Sequence, residues 1–336
     1  MTRLAAAIGA PALLGDIGAT NARFALLDEN GRIDRIRVLV CGDHSGLLAA
    51  VEAYLADVAG EESTPRPRIA AVDVAGPVAG DRVALTNHPW SFSQAALTAR
   101  LGVERLLVVN DFAAVAAAVP HLAAREVAQV GGDARAGGRA EAAPIGVLGP
   151  GSGLGVGGLL PVGERWIALA GEGGHVSLAA ANEREDRLLA LMRRRFGHVS
   201  AERALSGPGL VNLYTLLAEI DGVPAKPYGP AEITDAAAGA ADPHAREALL
   251  IFAEMLGGVA GDLALTLGAR GGIYVAGGIV PRLDVNFSAE GFRRRFETKG
   301  RMRPYLAPIP AFVIRHPYPA FVGLAALLQG RSVIAG

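Results

Sequence analysis

Short apolar runs separated by polar turns open the chain. Residues 12–14 and 22–27 read as strands, with Gly15-Asp16-Ile17-Gly18-Ala19-Thr20-Asn21 as a tight polar turn between them. Asp28-Glu29-Asn30-Gly31 is a hairpin signal, and a third strand follows near 36–40. After this meander the rhythm changes. A helix within 46–58, a strand at 69–74, a helix around 94–101 and a strand at 106–109 follow in turn. Strands alternating with helices imply parallel crossovers.

Three meandering strands continued by strand-helix-strand units predict a ribonuclease H-like α/β domain. Residues 127–143, rich in glycine and alanine with scattered charges, read as a surface loop. The plan then begins again with strands at 145–148, 156–160 and 166–169, the first two joined by Gly149-Pro150-Gly151-Ser152-Gly153-Leu154-Gly155. A helix over 183–196 and a longer helical region over 201–220 come next. Leu249, Phe252, Leu256, Val259, Leu263 and Leu267 recur three and four apart, marking one face of an amphipathic helix over 245–267. Gly268 and Gly271-Gly272 end it, Ile273-Tyr274-Val275-Ala276 enters a buried strand, and Gly277-Gly278 turns the chain. A repeated meander with a glycine turn predicts two copies of one fold, as two lobes with a ligand cleft between them.

Composition narrows the classes. Of 336 residues, 51% are hydrophobic and 19% charged, enough apolar material for large cores and two domains. The formal net charge is −1 and the basic residues are scattered, so neither nucleic acid nor an anionic membrane meets a cationic face. The single cysteine, Cys41, makes no internal disulfide and no cysteine-rich zinc site; it reads as structural and fits a reducing cytoplasm. Residues 4–14 are apolar behind an arginine, like a signal-peptide core. They run unbroken into Gly15-Asp16, and cleavage there would remove the first strand, so a cytoplasmic start is expected. No uninterrupted apolar run reaches the ~18–20 residues of a membrane span.

Chemistry is expected first at Leu106-Leu107-Val108-Val109-Asn110-Asp111-Phe112. A branched apolar run that ends in an amide and a carboxylate is a strand buried on both faces, delivering its polar end to a crevice where ligands bind. Residues 113–119 have helical composition, so Asp111 reads either as a helix N-cap or as a catalytic group. The two glycine turns offer backbone N–H groups to a polyphosphate, although each alone also reads as a hairpin. Residues 153–158 match a dinucleotide fingerprint in form, but a strand follows where a helix is required, and no lysine completes a P-loop. Asp16 suits magnesium held through water, or an Asx-turn. Glu172-Gly173-Gly174-His175 sets a carboxylate and an imidazole at a strand end without a third metal ligand, leaving sugar hydroxyls or a satisfied loop histidine as the readings. Glu202, at a helix start, reads on its own as a first-turn acid.

The combination resembles the bacterial glucokinases of the hexokinase-like, actin-type ATPase superfamily over nearly the whole chain. The resemblance rests on GDIGATNARFAL (15–26), TNHPWSFS (86–93), NDFAAVA (110–116), GPGSGLGV (149–156), GEGGHV (171–176), GHVSAERALSGPGLVNLY (197–214), LGARGGIYVAGGIVPR (267–282) and KGRM (299–302). It implies ATP-dependent phosphorylation of glucose at the 6-hydroxyl, with magnesium. Gly15, Asp16, Gly18, Ala19, Thr20, Asn21 and Arg23 are implied at the first phosphate loop, with Asp16 also near the metal. Gly149, Gly151, Ser152 and Gly153 fall in the second loop, and the Gly271-Gly272 and Gly277-Gly278 region faces the adenosine. Asn110, Asp111, Glu172, His175 and Glu202 fall on sugar-contacting positions, and Asp111 on that of the catalytic base. The resemblance further implies a discontinuous small domain (1–121 plus 317–336), a large domain (122–316) and a homodimer. Departures are modest: Pro150 and Ser152 stand where Ala and Thr are expected, and Ala19 where Gly is common. A kinase for another hexose and a non-catalytic sugar-binding regulator are the alternatives.

Overall fold

The opening meander is built from β1 (Ala12–Ile17), β2 (Asn21–Leu27) and β3 (Ile33–Val40). Each is longer than its apolar run because ladder pairing continues into the polar residues, with β2 antiparallel to both neighbours. The computed structural model describes residues 11–61, 67–86, 88–131, 143–239, 242–283 and 286–335. The signal-peptide reading of residues 4–14 therefore falls mostly outside the described residues. Next come α1 (Leu47–Val58), β4 (Ile69–Val74), a small hairpin of β5 (Arg82–Ala84) and β6 (Ser91–Ser93), α2 (Gln94–Leu101), β7 (Arg105–Asn110) and α3 (Asp111–Ala118). β4 lies parallel to β1 and β7 parallel to β4, giving the order β3-β2-β1-β4-β7. Three parallel strands thus end at one edge, which is the expected ribonuclease H-like plan.

The second half contains β8 (Val127–Gln129), β9 (Ile145–Pro150), β10 (Leu154–Val162), β11 (Arg165–Gly171), α4 (Glu183–Phe196), α5 (Gly207–Ile220), α6 (Pro230–Ala238) and α7 (Pro243–Leu267). It continues with β12 (Ile273–Val275), α8 (Val280–Leu283), α9 (Ala289–Glu297), α10 (Arg303–Leu306), β13 (Ala311–Ile314), α11 (Pro319–Leu328) and β14 (Ser332–Ile334). The sheet order is β14-β11-β10-β9-β12-β13-β8. Its inner five strands repeat the order of the first sheet, with one strand added at each edge.

Two expectations are corrected. Residues 127–129 are not loop but β8, antiparallel to β13, while 132–142 lie outside the described residues. The helical region over 201–220 is broken: a 3-10 turn at Ala201–Arg203 precedes α5, which Ser206 caps by accepting from Gly209 N at 3.0 Å. A serine followed by Pro208 in the first turn starts a new helix. By length and composition α7 suffices to cross a membrane, but 61% of its apolar window is buried, and it packs on α5, α6, α9 and β9 as a core helix.

The contacts divide the chain into two compact units: Met1–Glu126 with Gly157–Gly171 and His316–Gly336, and Val127–Val156 with Glu172–Arg315. In the first, Leu13, Ile17, Phe24, Val51, Tyr54, Val72 and Leu97 form a core on the α1/α2 face of the sheet, while α3 and α11 cover the opposite face. In the second, Leu148, Leu189, Leu213, Phe252, Leu256, Val275 and Phe292 belong to one core. There Gly257 and Gly261 let α9 approach closely, since a Cβ at either would lie 2.1 Å from Phe292 O or 2.5 Å from Phe296 O.

Candidate functional site

In the first unit the pleat decides which side chains share a face. Asp16 and Asp73 are register partners on the parallel β1 and β4, so both project away from the Leu13-Ile17-Val72 core. Asp16 Oδ2 accepts from Arg23 Nη1 at 2.9 Å. The turn between them closes through Gly18 N donating to Asn21 O at 3.0 Å, and Cys41 N donates to Thr20 O at 2.9 Å. The buried Cys41 thiol donates to Gly18 O at 3.4 Å, and burial pushes its pKa up, as befits a structural thiol.

At the end of β7 the N-cap of α3 is Asn110, not Asp111. Asn110 keeps extended dihedrals, its Oδ1 accepts from Ala113 N at 3.1 Å, and its Nδ2 donates to Gly76 O at 3.2 Å. Asp111 is already helical, is half-buried, and accepts from Phe112 N at 2.9 Å.

Asp73 was missed by the sequence reading. It is fully buried, and neither carboxyl oxygen meets a donor among the described residues. Burial first, then the charges of Asp16 and Asp111, push its carboxyl well above the usual carboxylate range. A single acid inside Ile69-Ala70-Ala71-Val72-Asp73-Val74 was the available signal. No three His, Cys, Asp or Glu side chains among the described residues converge to hold a metal. Magnesium asks for less, usually one or two carboxylates with phosphate oxygens and water, and the Asp16 edge fits that demand.

In the second unit Leu154 is the meeting point. Glu202 lies in the first turn of the 3-10 helix Ala201–Arg203, and its Oε2 accepts from Leu154 N at 2.8 Å, so this first-turn acid also anchors the glycine turn after β9. Within the turn Gly151 N donates to Gly153 O at 2.8 Å, and Gly207 N donates to Gly151 O at 2.8 Å. Gly277 has φ 80°, and a Cβ there would lie 2.4 Å from Pro150 O; only glycine lets this turn press on the loop. Gly271-Gly272 sits at the other end of β12, Gly271 against the backbone of Ala143 and Pro144 and Gly272 against Pro310. A Cβ on Gly174 would lie 1.9 Å from Leu154 O, so the 172–175 turn lies flat on the start of β10. Its Glu172 and His175 side chains are each 51% exposed, with Oε2 and Nε2 3.9 Å apart. Both point polar atoms outward. The structure thus gathers Asp16, Arg23, Asn110 and Asp111 at one strand edge of the first unit, and the second glycine turn, Gly277, Glu172, His175 and Glu202 around Leu154 in the second. A cavity of about 700 Å³ lined by Ile33, His316, Tyr318 and Phe321 includes none of these residues.

The glucokinase family model matches residues 13–331. A glucokinase of Aromatoleum aromaticum is 51% identical over 327 residues, 97% of this chain and 96% of its own. The crystal structure of a glucokinase from an Antarctic psychrotroph matches with a TM-score of 0.81 at 35% identity, covering 95% of this chain and 98% of that one. A ROK family glucokinase from Streptomyces griseus, solved with glucose and AMPPNP, has the same fold, with a TM-score of 0.62 at 22% identity over 94% of this chain and 98% of that one.

Proposed function

This chain belongs to the glucokinase family, and from that premise we propose how its residues transfer the γ-phosphoryl group of ATP to the 6-hydroxyl of glucose. Asp111 is the base: it accepts the proton of the 6-hydroxyl as that oxygen bonds to phosphorus and ADP leaves. Its release from capping supports the assignment, because Asn110 already meets the needs of α3. Asn110, Glu172, His175 and Glu202 take the ring hydroxyls. Phosphoryl transfer is governed by alignment and charge more than by covalent chemistry, and the residues assigned to the nucleotide supply both: Gly15, Gly18, Ala19, Thr20, Asn21 and Arg23 on one turn, Gly149, Gly151, Ser152 and Gly153 on the other, and Gly277-Gly278. Magnesium, when bound, offsets charge on the phosphates, and Asp16 is the residue assigned to it. We further assign the small domain to 1–121 plus 317–336 and the large one to 122–316, and place a homodimer in the cytoplasm.

The observation that carries the reading is the family match over 13–331. Its test is a coupled glucose 6-phosphate assay with ATP and magnesium, run in parallel with ADP release from mannose, fructose and N-acetylglucosamine. Glucose should give the highest kcat/KM. Preference for another hexose would replace the substrate, and no turnover with any would leave a sugar-binding regulator.

A further inference from the structure

We infer that Gly76 is a positioning residue for the sugar end of the reaction: its carbonyl fixes the amide of Asn110 and so aims the N–H that the amide has left at a sugar hydroxyl. The inference rests on the kinase reading above, which gives Asn110 a ring hydroxyl and gives Gly76 no part. Two neighbours decide how the amide is turned. Ala113 N can only donate and meets Oδ1 at 3.1 Å, while Gly76 O can only accept and meets Nδ2 at 3.2 Å. A flipped amide would set donor against donor and acceptor against acceptor in a residue only 8% exposed, where unmet polar groups are costly. With both bonds made, Nδ2 keeps one N–H for an oxygen of the sugar.

Capping alone does not account for this arrangement. Asp, Ser and Thr cap a helix about as well as Asn, but an ionised Asp has nothing to donate, and Ser and Thr carry a single proton on a shorter arm. Asn caps through its oxygen and still has its N–H groups to spend. The chain also takes an uncommon path to present the acceptor. Val74 is the register partner of Asn110 on the parallel β4 and β7, and two residues later the backbone turns at Gly76 with φ 153°. The turn is held by Ala75 N donating to Ile17 O at 3.1 Å, Gly76 N to Val74 O at 3.0 Å and Thr86 N to Ala75 O at 3.0 Å. A Cβ on Gly76 would lie 2.8 Å from Thr86 Oγ1 and 3.2 Å from Ala84 O, so a larger residue would displace the carbonyl. Thr86 opens the 86–93 stretch, which has no part in the phosphoryl-transfer scheme; bracing this turn gives it one.

The test is a double-mutant cycle on the parent, Gly76→Ala, Asn110→Ser and the double variant, measuring calorimetric affinity for glucose and, separately, for magnesium-AMPPNP. Serine keeps the cap and gives up the bond to Gly76 O. Glucose affinity should fall about tenfold or more in each single variant. The double variant should stay within about twofold of Asn110→Ser, because Gly76 acts only through the amide. Magnesium-AMPPNP affinity should match the parent's throughout. Near-parent glucose affinity in Gly76→Ala overturns the inference. So does an equal loss from Gly76→Ala in both backgrounds, or a nucleotide affinity that falls in step with glucose, which would mark a structural role. Should Gly76→Ala fail to fold, Asn110→Asp against Asn110→Ser decides. Both cap α3, but the aspartate would set a carboxylate against the Gly76 carbonyl and should bind glucose more weakly than serine; equal or tighter binding overturns the inference. Parent turnover across the hexoses tests the underlying reading separately, since it can fail without any variant while the cycle is read on binding alone.

Discussion

Asp111→Asn separates two roles that one carboxylate at a helix start can play. Because Asn110 supplies the cap, the change should leave the melting temperature and the glucose affinity near the parent's. Turnover should fall by about 10²- to 10⁴-fold, the usual contribution of a general base; near-parent turnover in the coupled assay would remove Asp111 from the mechanism. Glu172 and Glu202, both assigned to sugar hydroxyls, should behave differently from each other. Glu172→Gln exchanges a charged acceptor worth about 1.5–3 kcal/mol, so glucose affinity should fall by roughly one to two orders of magnitude, with ATP affinity unchanged. Glu202→Ala also frees Leu154 N, so nucleotide and glucose affinities should drop together. Calorimetry on the two variants would expose the difference, and identical profiles would argue against the anchoring role.

Two elements of the first unit carry predictions of their own. A Cβ at Gly323 of α11 would lie 1.8 Å from Ala114 O of α3. Alanine in a helix gains about 1 kcal/mol over glycine, but forcing two packed backbones apart typically costs about 1–3 kcal/mol. With backbone rather than a movable side chain in the way, overlap should win, and Gly323→Ala should unfold at lower urea. The start of α11 depends on a neutral imidazole, since His316 Nδ1 accepts from Tyr318 N at 3.0 Å. Burial holds the His316 pKa below its ordinary 6.5, outweighing the nearby Glu126. Because the unfolded chain takes up this proton first, the contribution is full above about pH 6.5 and is lost as pH falls through the lower folded value. Melting temperature should decline on acidification over that window, and less steeply in His316→Asn. Elements with strong periodicity or a clear cap, such as α2, α4 and α7, were legible in the sequence with nearly correct ends. β8, β14 and the β5–β6 hairpin were not, because three residues give no period to read and their partners are remote. α9 carries so much charge that its buried Phe292 and Phe296 did not stand out. The glycine turns and Asp111 were legible because polar residues interrupt apolar runs abruptly. Asp73 interrupts one as well, but strand flanks on both sides disguised it.

For the molecule as a whole, glucose binding to the native state alone should raise stability by about 2.7 kcal/mol at a hundredfold excess over its Kd. A thermal shift seen with glucose and absent with a poorly phosphorylated hexose would tie the stabilisation to the site; equal shifts with both would point to a nonspecific osmolyte effect. One further consequence concerns how the protein is made. The helix α11 packs on α3, β1 and β4, yet about 190 residues separate it from the end of the unit's first segment. At roughly 5–20 residues per second on the ribosome, the nascent sheet waits about 10 to 40 seconds for the helix that closes its second face. Through that interval Leu14 and Ala71, fully buried in the finished protein, belong to a face lacking part of its cover, and chains arrested before Pro319 should require a chaperone to stay out of aggregates.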